Sequence, residues 1–466
     1  MLIDLTRLPA LLPGAALGLA AIVAAGAAKA DRLDDLQRQV DALQSELSRV
    51  KAEQGEIKKS QEEAAKKADG KAMTLKYKPG LVIESGDKNF TAHLGGRIMV
   101  DSAWYDEDKS DLGDGTEFRR ARLFLAGTLF KDWEYKSQWD FADNHVGAKD
   151  VYIKYKGLKG FGNLALTLGH HKPAASLDNM TSSRFITFME RSLAHAFIDE
   201  VGDRQIGFSG KVHGDDWTAE AGIFGADVDD DPADEGNEDW QVAGRVTFAP
   251  LHEKTRVLHL GLWGSYLAPE DAGNFTFESE PESHVTDAEF VKITVPGSDS
   301  LVRWGAEAAG VYGPFALQGE YLHASVDGTD FSTDPSVDLD PDFDGWYVQG
   351  SYFLTGESRA YNAKKGKFGR VKPKNNLGEG GFGAWQVGVR YSTIDLTDEG
   401  LLGGEEDNVT LGLNWYVNPY LRFMLNTIWV DTDENATGNS ANLRAGEILA
   451  GNDNPFIVQI RAQIDF

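Results

Sequence analysis

The chain contains no cysteine, which excludes disulfides and thiolate metal sites and leaves the redox compartment undetermined. Past residue 30 no apolar run is long enough for a membrane-spanning helix. Positive charge is short: 46 Lys and Arg stand against 73 Asp and Glu, and the net charge of −27 makes nucleic acid a poor partner. The 10 histidines form no HExxH, and there is neither a GxSxG elbow nor a phosphate-binding P-loop, so an enzyme is not expected. His170 and His171 are adjacent and in a strand would face opposite ways, a poor metal pair. The Asp-rich loops lack the spacing of a Ca2+ loop with its central Gly and terminal Glu. No metal and no cofactor is expected.

What is present points to a membrane barrel with an extension. The 466 residues carry 51 Gly and 11% aromatic residues, which suits lipid-facing side chains diluted by polar ones facing a pore. Residues 1–30 are expected as a signal peptide: Leu8 to Ala30 is apolar, Arg7 precedes it, and Ala28-Lys29-Ala30 supplies small residues for cleavage. A retained hydrophobic anchor is the alternative, and export is common to both. Residues 31–70 read as a periplasmic coiled coil. Leu33, Leu36, Val40, Leu43, Leu47, Val50 and Ile57 alternate spacings of three and four, with Gln54 in the remaining seam position. Such a seam implies oligomerisation, a trimer if the following domain is trimeric; one helix packed on its own barrel would show it too. Residues 71–89 are a linker leading into a barrel at 90–466.

From Phe90 onward about sixteen segments alternate apolar and polar residues, an even number as outer-membrane barrels require. Phe90, Leu94, Ile98, Val100 and Trp104 share one face of the first, and His93, Arg97 and Asp101 the other. In the second, Leu123, Leu125 and Leu129 oppose Arg120 and Arg122; in the third, Trp133, Tyr135, Trp139 and Phe141 oppose Glu134, Lys136, Gln138 and Asp140. Tight turns such as Lys131-Asp132 and Asn418-Pro419 alternate with long polar loops, and a last amphipathic strand ends at Phe466. The fold class is therefore all-β: a transmembrane antiparallel barrel of about sixteen strands, preceded by an α-helical coiled coil.

Two connections break the rhythm. The stretch from His170 to Asp203 is long, and Phe185, Ile186, Phe188, Met189, Leu193 and Phe197 want burial, which predicts a constriction loop inside the pore. Its Lys172, Arg184 and Arg191 would face what passes. The connection from Thr355 to Gly381, on the side where neighbours are tight turns, carries Lys364, Lys365, Lys367, Arg370, Lys372 and Lys374. It is expected to fold into the lumen as well, or to lie solvated against peptidoglycan or a neighbouring subunit. Strand parity puts Arg97, Arg120, Arg122, Lys136, Lys154, Lys211, Arg245, Arg390, Arg422 and Arg461 inside, where fixed cations would replace the hydration of an anion. Acids at Asp101, Glu134, Asp140, Glu220, Glu307 and Glu320 share that face, so bracing ion pairs are the competing reading. Acid-rich loops around Asp227 to Asp239 and Asp327 to Asp344 would repel anions at the mouth, or bridge to lipopolysaccharide through divalent cations.

The segments FRRARLFLAGTLFKDWEYKSQWDFA, TSSRFITFMERS, YVQGSYFLTGESRAY and GAWQVGVRYSTIDL resemble the phosphate-selective porin O and P family, from about Leu81 to Phe466. The resemblance implies a trimeric sixteen-stranded barrel in the outer membrane, conducting small anions such as phosphate or pyrophosphate. It also implies an anion site combining a lysine of the infolded loop, Lys172, with lysines of the basic turn, Lys367 and Lys372. Phosphate selectivity rests on that resemblance. A general or cation-preferring porin, or a barrel tethering the outer membrane to the cell wall through its coiled coil, remains the alternative.

Overall fold

A computed structural model of the chain describes residues 30–67, 73–142, 144–160, 163–199, 203–225, 239–269, 273–330, 336–436 and 452–466. Residues 1–29 of the expected signal peptide and most of the acidic loop at 226–238 lie outside them. The chain divides into two units, Met1–Ala72 and Met73–Phe466.

Among the described residues of the first unit, the helix α1 (Ala30–Lys67) runs unbroken through Gly55. Its composition explains it, since Ala, Leu, Glu, Gln, Lys and Arg are strong helix formers. Val40, Leu43, Leu47 and Val50 stand exposed along it.

In the second unit sixteen antiparallel strands close on themselves. They are β1 (Thr91–Asp106), β2 (Gly115–Leu129), β3 (Trp133–Asp140), β4 (Gly147–Leu158), β5 (Leu164–His171), β6 (Gln205–His213), β7 (Trp217–Phe224) and β8 (Trp240–His252), followed by β9 (Arg256–Ala268), β10 (Val291–Tyr312), β11 (Phe315–Asp330), β12 (Asp342–Phe353), β13 (Ala384–Asp398), β14 (Leu401–Asn418), β15 (Leu421–Thr432) and β16 (Phe456–Asp465). Each pairs with its sequence neighbours, and β16 returns to β1 in a register from Phe456↔Asp106 to Asp465↔Arg97. Alternation decides the faces. Leu94, Leu123, Leu125, Leu129, Trp133 and Trp139 are exposed on the outside, while Arg97, Asp101, Arg120, Arg122, Gln138 and Asp140 are buried toward the lumen.

Three stretches depart from the sequence expectation. The linker region carries a hairpin, Met73–Tyr77 with Leu81–Ser85, whose second strand extends the sheet beside β1. Strand β10 begins at Val291 rather than near Leu301, because Gly273–Ser279 pairs with its upper half. Finally, β1 and β2 lose register between Met99 and Asp101, where Met99 faces Arg120 but Asp101 faces Glu117.

Candidate functional site

A chain crossing a barrel lumen has no sheet neighbours, so its backbone polar groups need side-chain partners. The loop between β5 and β6 finds them on the far wall. Glu320 of β11 accepts the N–H groups of Leu177 and Asp178, both at 2.8 Å. Asn426 accepts Met189 N–H at 2.8 Å, and Ser392 accepts Leu193 N–H at 3.1 Å. Arginines take the carbonyls: Arg422 donates to Ile186 (2.8 Å), Arg461 to Met189 (2.5 Å), Arg390 to Glu190 (3.0 Å) and Arg303 to Phe197 (2.9 Å). Ile186, Phe188, Met189, Leu193 and Phe197 are buried, and Phe185 half-buried. Phe188 lies on two glycines of the wall. A Cβ at Gly412 would come within 3.0 Å of its ring, and one at Gly388 within 3.2 Å.

The connection between β12 and β13 folds in from the opposite end. Arg245 donates to Gly366 O at 2.8 Å, and Lys211 to Lys365 O at 3.3 Å. The two insertions touch: Phe368 N–H reaches Thr181 Oγ1 at 3.4 Å, and Phe368 shares an apolar cluster with Leu177 and Tyr361. A third segment enters from the connection between β9 and β10, where Glu282 binds Arg390, Ser392 and Thr410.

These insertions are anchored mostly on β8–β16, with Ser183, Glu190 and Lys365 reaching Arg97, Arg119 and Lys211 of β1, β2 and β6, and leave open a cavity of about 820 Å³ on the β1–β7 side. Its lining inverts the charge balance of the chain. Thirteen basic side chains (Arg97, Arg119, Arg120, Arg122, Arg184, Arg191, Arg204, Lys136, Lys149, Lys154, Lys172, Lys365 and Lys367) meet eight acids, namely Asp150, Asp203, Glu190, Glu220, Glu278, Glu280, Glu282 and Glu289. Lys172 of the loop and Lys367 of the turn face this one space. Burial pushes the Lys172 ammonium down to about 7, against the opposing pull of Asp203, its ion-pair partner. Burial, helped by Lys211, lowers Lys367 to about 7. Burial opposes the Glu190 charge, yet Arg119, Arg120 and Arg461 together hold its carboxyl well below the usual range. Burial lifts Glu280 to about 7.

The expected site residues fall into three groups. Lys172, Arg184, Arg191 and Lys367 come together in the cavity, and Arg97, Arg120, Arg122, Lys136 and Lys154 line its wall. Arg245 and Arg390, expected to line the pore, lie instead beneath the insertions. Arg245 pairs with Glu307 at 2.8 Å and Arg390 with Glu282, because both insertions lean on that wall. Arg370 and Lys372 also sit elsewhere. Arg370 pairs with Asp465 at 2.6 Å and stacks on Phe185 and Tyr420, while Lys372 is exposed. Parity reasoning missed Arg119, Lys149, Arg204 and Glu190. The β1–β2 bulge explains Arg119, since an extra residue turns two successive side chains to one face. Glu190 then joins Arg119 (3.0 Å), Arg120 (3.6 Å) and Arg461 (2.5 Å).

Residues 93–466 match the family described as phosphate-selective porin O and P. Porin O of Pseudomonas aeruginosa is 30% identical over 410 residues, covering 80% of this chain and 90% of that protein. A protein of Caulobacter vibrioides described as uncharacterized is 33% identical over 358 residues, 73% of this chain and 68% of its own length. Among solved structures, the in-vitro folded outer-membrane protein OmpT of Vibrio cholerae superposes with a TM-score of 0.50 at 12% identity, covering 81% of this chain and 98% of that one. At that identity it speaks for the barrel fold alone.

Proposed function

Since this chain belongs to the phosphate-selective porin O and P family and is an outer-membrane porin, we propose that it passes small anions, phosphate or its polymers among them, through the cavity beside β1–β7. One observation carries the reading: a chain with 73 acids and 46 bases gathers thirteen bases and eight acids around its cavity. An anion entering a narrow pore sheds hydration, and Arg and Lys donors replace it. Lys172 and Lys367 are the proposed centre of the binding step, with Arg184 and Arg191 beside them and Arg97, Arg120, Arg122, Lys136 and Lys154 as the approach. Binding there must be weak enough for release.

The reading extends to a homotrimer. Strands β3, β5 and β7 have eight residues each, below the about 9–11 needed to span a bilayer core. A low wall of this kind is sheltered best against neighbouring barrels. The seam of α1 supports a coiled coil, which the export reading puts in the periplasm near peptidoglycan, with lipopolysaccharide a partner of the barrel.

The test is single-channel conductance in a planar bilayer under a chloride gradient, with phosphate then titrated in. The expected result is an anion-selective reversal potential and a chloride current that phosphate inhibits, the inhibition weakening in Lys172→Ala and Lys367→Ala. Cation preference, or a current indifferent to phosphate, would return the protein to a general porin or a cell-wall tether.

A further inference from the structure

The seam of α1 says that helices meet, and the residues flanking it say how. With Leu33, Val40, Leu47 and Gln54 at one seam position and Leu36, Leu43, Val50 and Ile57 at the other, the flanking positions are fixed. Ahead of the four heptads stand Arg32, Gln39, Glu46 and Glu53. On the other flank stand Gln37, Gln44, Lys51 and Lys58. In the last two heptads acids occupy one flank and bases the other.

In a parallel, in-register bundle each residue of the first flank meets the residue five positions later in a neighbour. Glu46 then meets Lys51, Glu53 meets Lys58, and Gln39 meets Gln44. An antiparallel bundle would set like flanks together, glutamate against glutamate and lysine against lysine. Gln54 is a polar seam residue that finds its own kind only when the copies are in register. Val40, Leu43, Leu47 and Val50 are exposed at 43%, 63%, 52% and 48% in the single chain, and Glu46, Lys51, Glu53 and Lys58 are exposed as well. The structure carries an uncovered apolar stripe whose borders are charge-complementary to themselves.

We propose that α1 binds further copies of this chain, parallel and in register, with Glu46–Lys51 and Glu53–Lys58 pairs selecting that arrangement. The proposal rests on the coiled-coil reading above but not on what the pore conducts. Parallel helices are also the arrangement that barrels crossing one membrane in one sense permit.

The absence of cysteine gives a direct test on the full chain in detergent or outer-membrane vesicles. Leu43→Cys, in the seam, should form an interchain disulfide on mild oxidation, because in register Leu43 faces Leu43. Ser45→Cys, on the outer face of the helix, should not. Adding Glu46→Lys and Glu53→Lys to Leu43→Cys should abolish most of the crosslink, and further adding Lys51→Glu and Lys58→Glu should restore it. Equal crosslinking at residues 43 and 45, or indifference to charge reversal, overturns the proposal. Barrel assembly is followed separately by conductance, so loss of the crosslink in a conducting protein cannot be blamed on misfolding, and failure of anion selectivity leaves this result standing.

Discussion

Arg461 on the last strand and Asp101 on the first form a two-pronged ion pair across the seam that closes the barrel, with Nε to Oδ1 at 2.7 Å. The same guanidinium holds Glu190 and the Met189 carbonyl of the infolded loop. Closure of the barrel and seating of the loop thus share one side chain.

Replacing Arg461 by Leu leaves the buried Asp101 carboxylate without its partner and takes from Glu190 one of its three arginines, and breaking a buried pair on one side costs about 3–5 kcal/mol. Denaturant unfolding of the variant in detergent should show a loss of that order. A stability within about 1 kcal/mol of the parent, the range of exposed pairs, would show that water or rearrangement replaces the arginine.

Glu190 occupies the arginine cluster as an internal anion. In Glu190→Gln the Arg119 and Arg120 charges are no longer neutralised, so the reversal potential should move toward stronger anion preference and phosphate should inhibit chloride current at lower concentration. A shift toward cations would mean that the loop, released from its anchor, has closed or left the cavity.

The pH dependence has a definite sign. As pH rises through about 7, Lys172 and Lys367 lose positive charge and Glu280 gains negative charge, so all three changes weaken anion attraction. Anion selectivity should therefore be high near pH 6 and fall by pH 8. Arginine stays charged over that range, so the double variant Lys172→Arg, Lys367→Arg should flatten the fall. A selectivity that rises with pH contradicts the assignment.

Gly412→Val would drive a side chain into the Phe188 ring and the Asn426 amide, 2.9 Å from where the Cβ must sit. Overpacking of this kind costs about 1–3 kcal/mol, and relief comes by lifting the loop from the wall. Single-channel conductance should change measurably. Unaltered conductance with unaltered stability would show that the wall, not the loop, yields.

The barrel was legible because a period of two is a strong signal when repeated sixteen times, and the loop because its apolar residues had no other place to go. What the sequence concealed was local and irregular. One bulge turned Arg119 inward beside Arg120, against the parity that read Arg120 and Arg122 correctly. Parity also cannot tell which lumen side chains face water and which an insertion covers. Arg120 lines the cavity while Arg390, equally well placed by alternation, lies beneath Glu190 and Glu282. In the basic turn, six cations within eleven residues gave no hint that Lys367 would be turned in and Lys372 out. That is decided by Phe368 packing among Leu177 and Tyr361.

The pairing of β16 with β1 joins residues separated by some of the longest intervals in the chain, as between Arg461 and Asp101, 360 positions apart. Until that contact forms, the sheet has two open edges, each a template for another chain. The same contact removes both. Assembly is then a race in which protection arrives at the last step, after the slowest loop closure. A truncated or stalled copy is more than an incomplete pore: it carries two free edges and will aggregate.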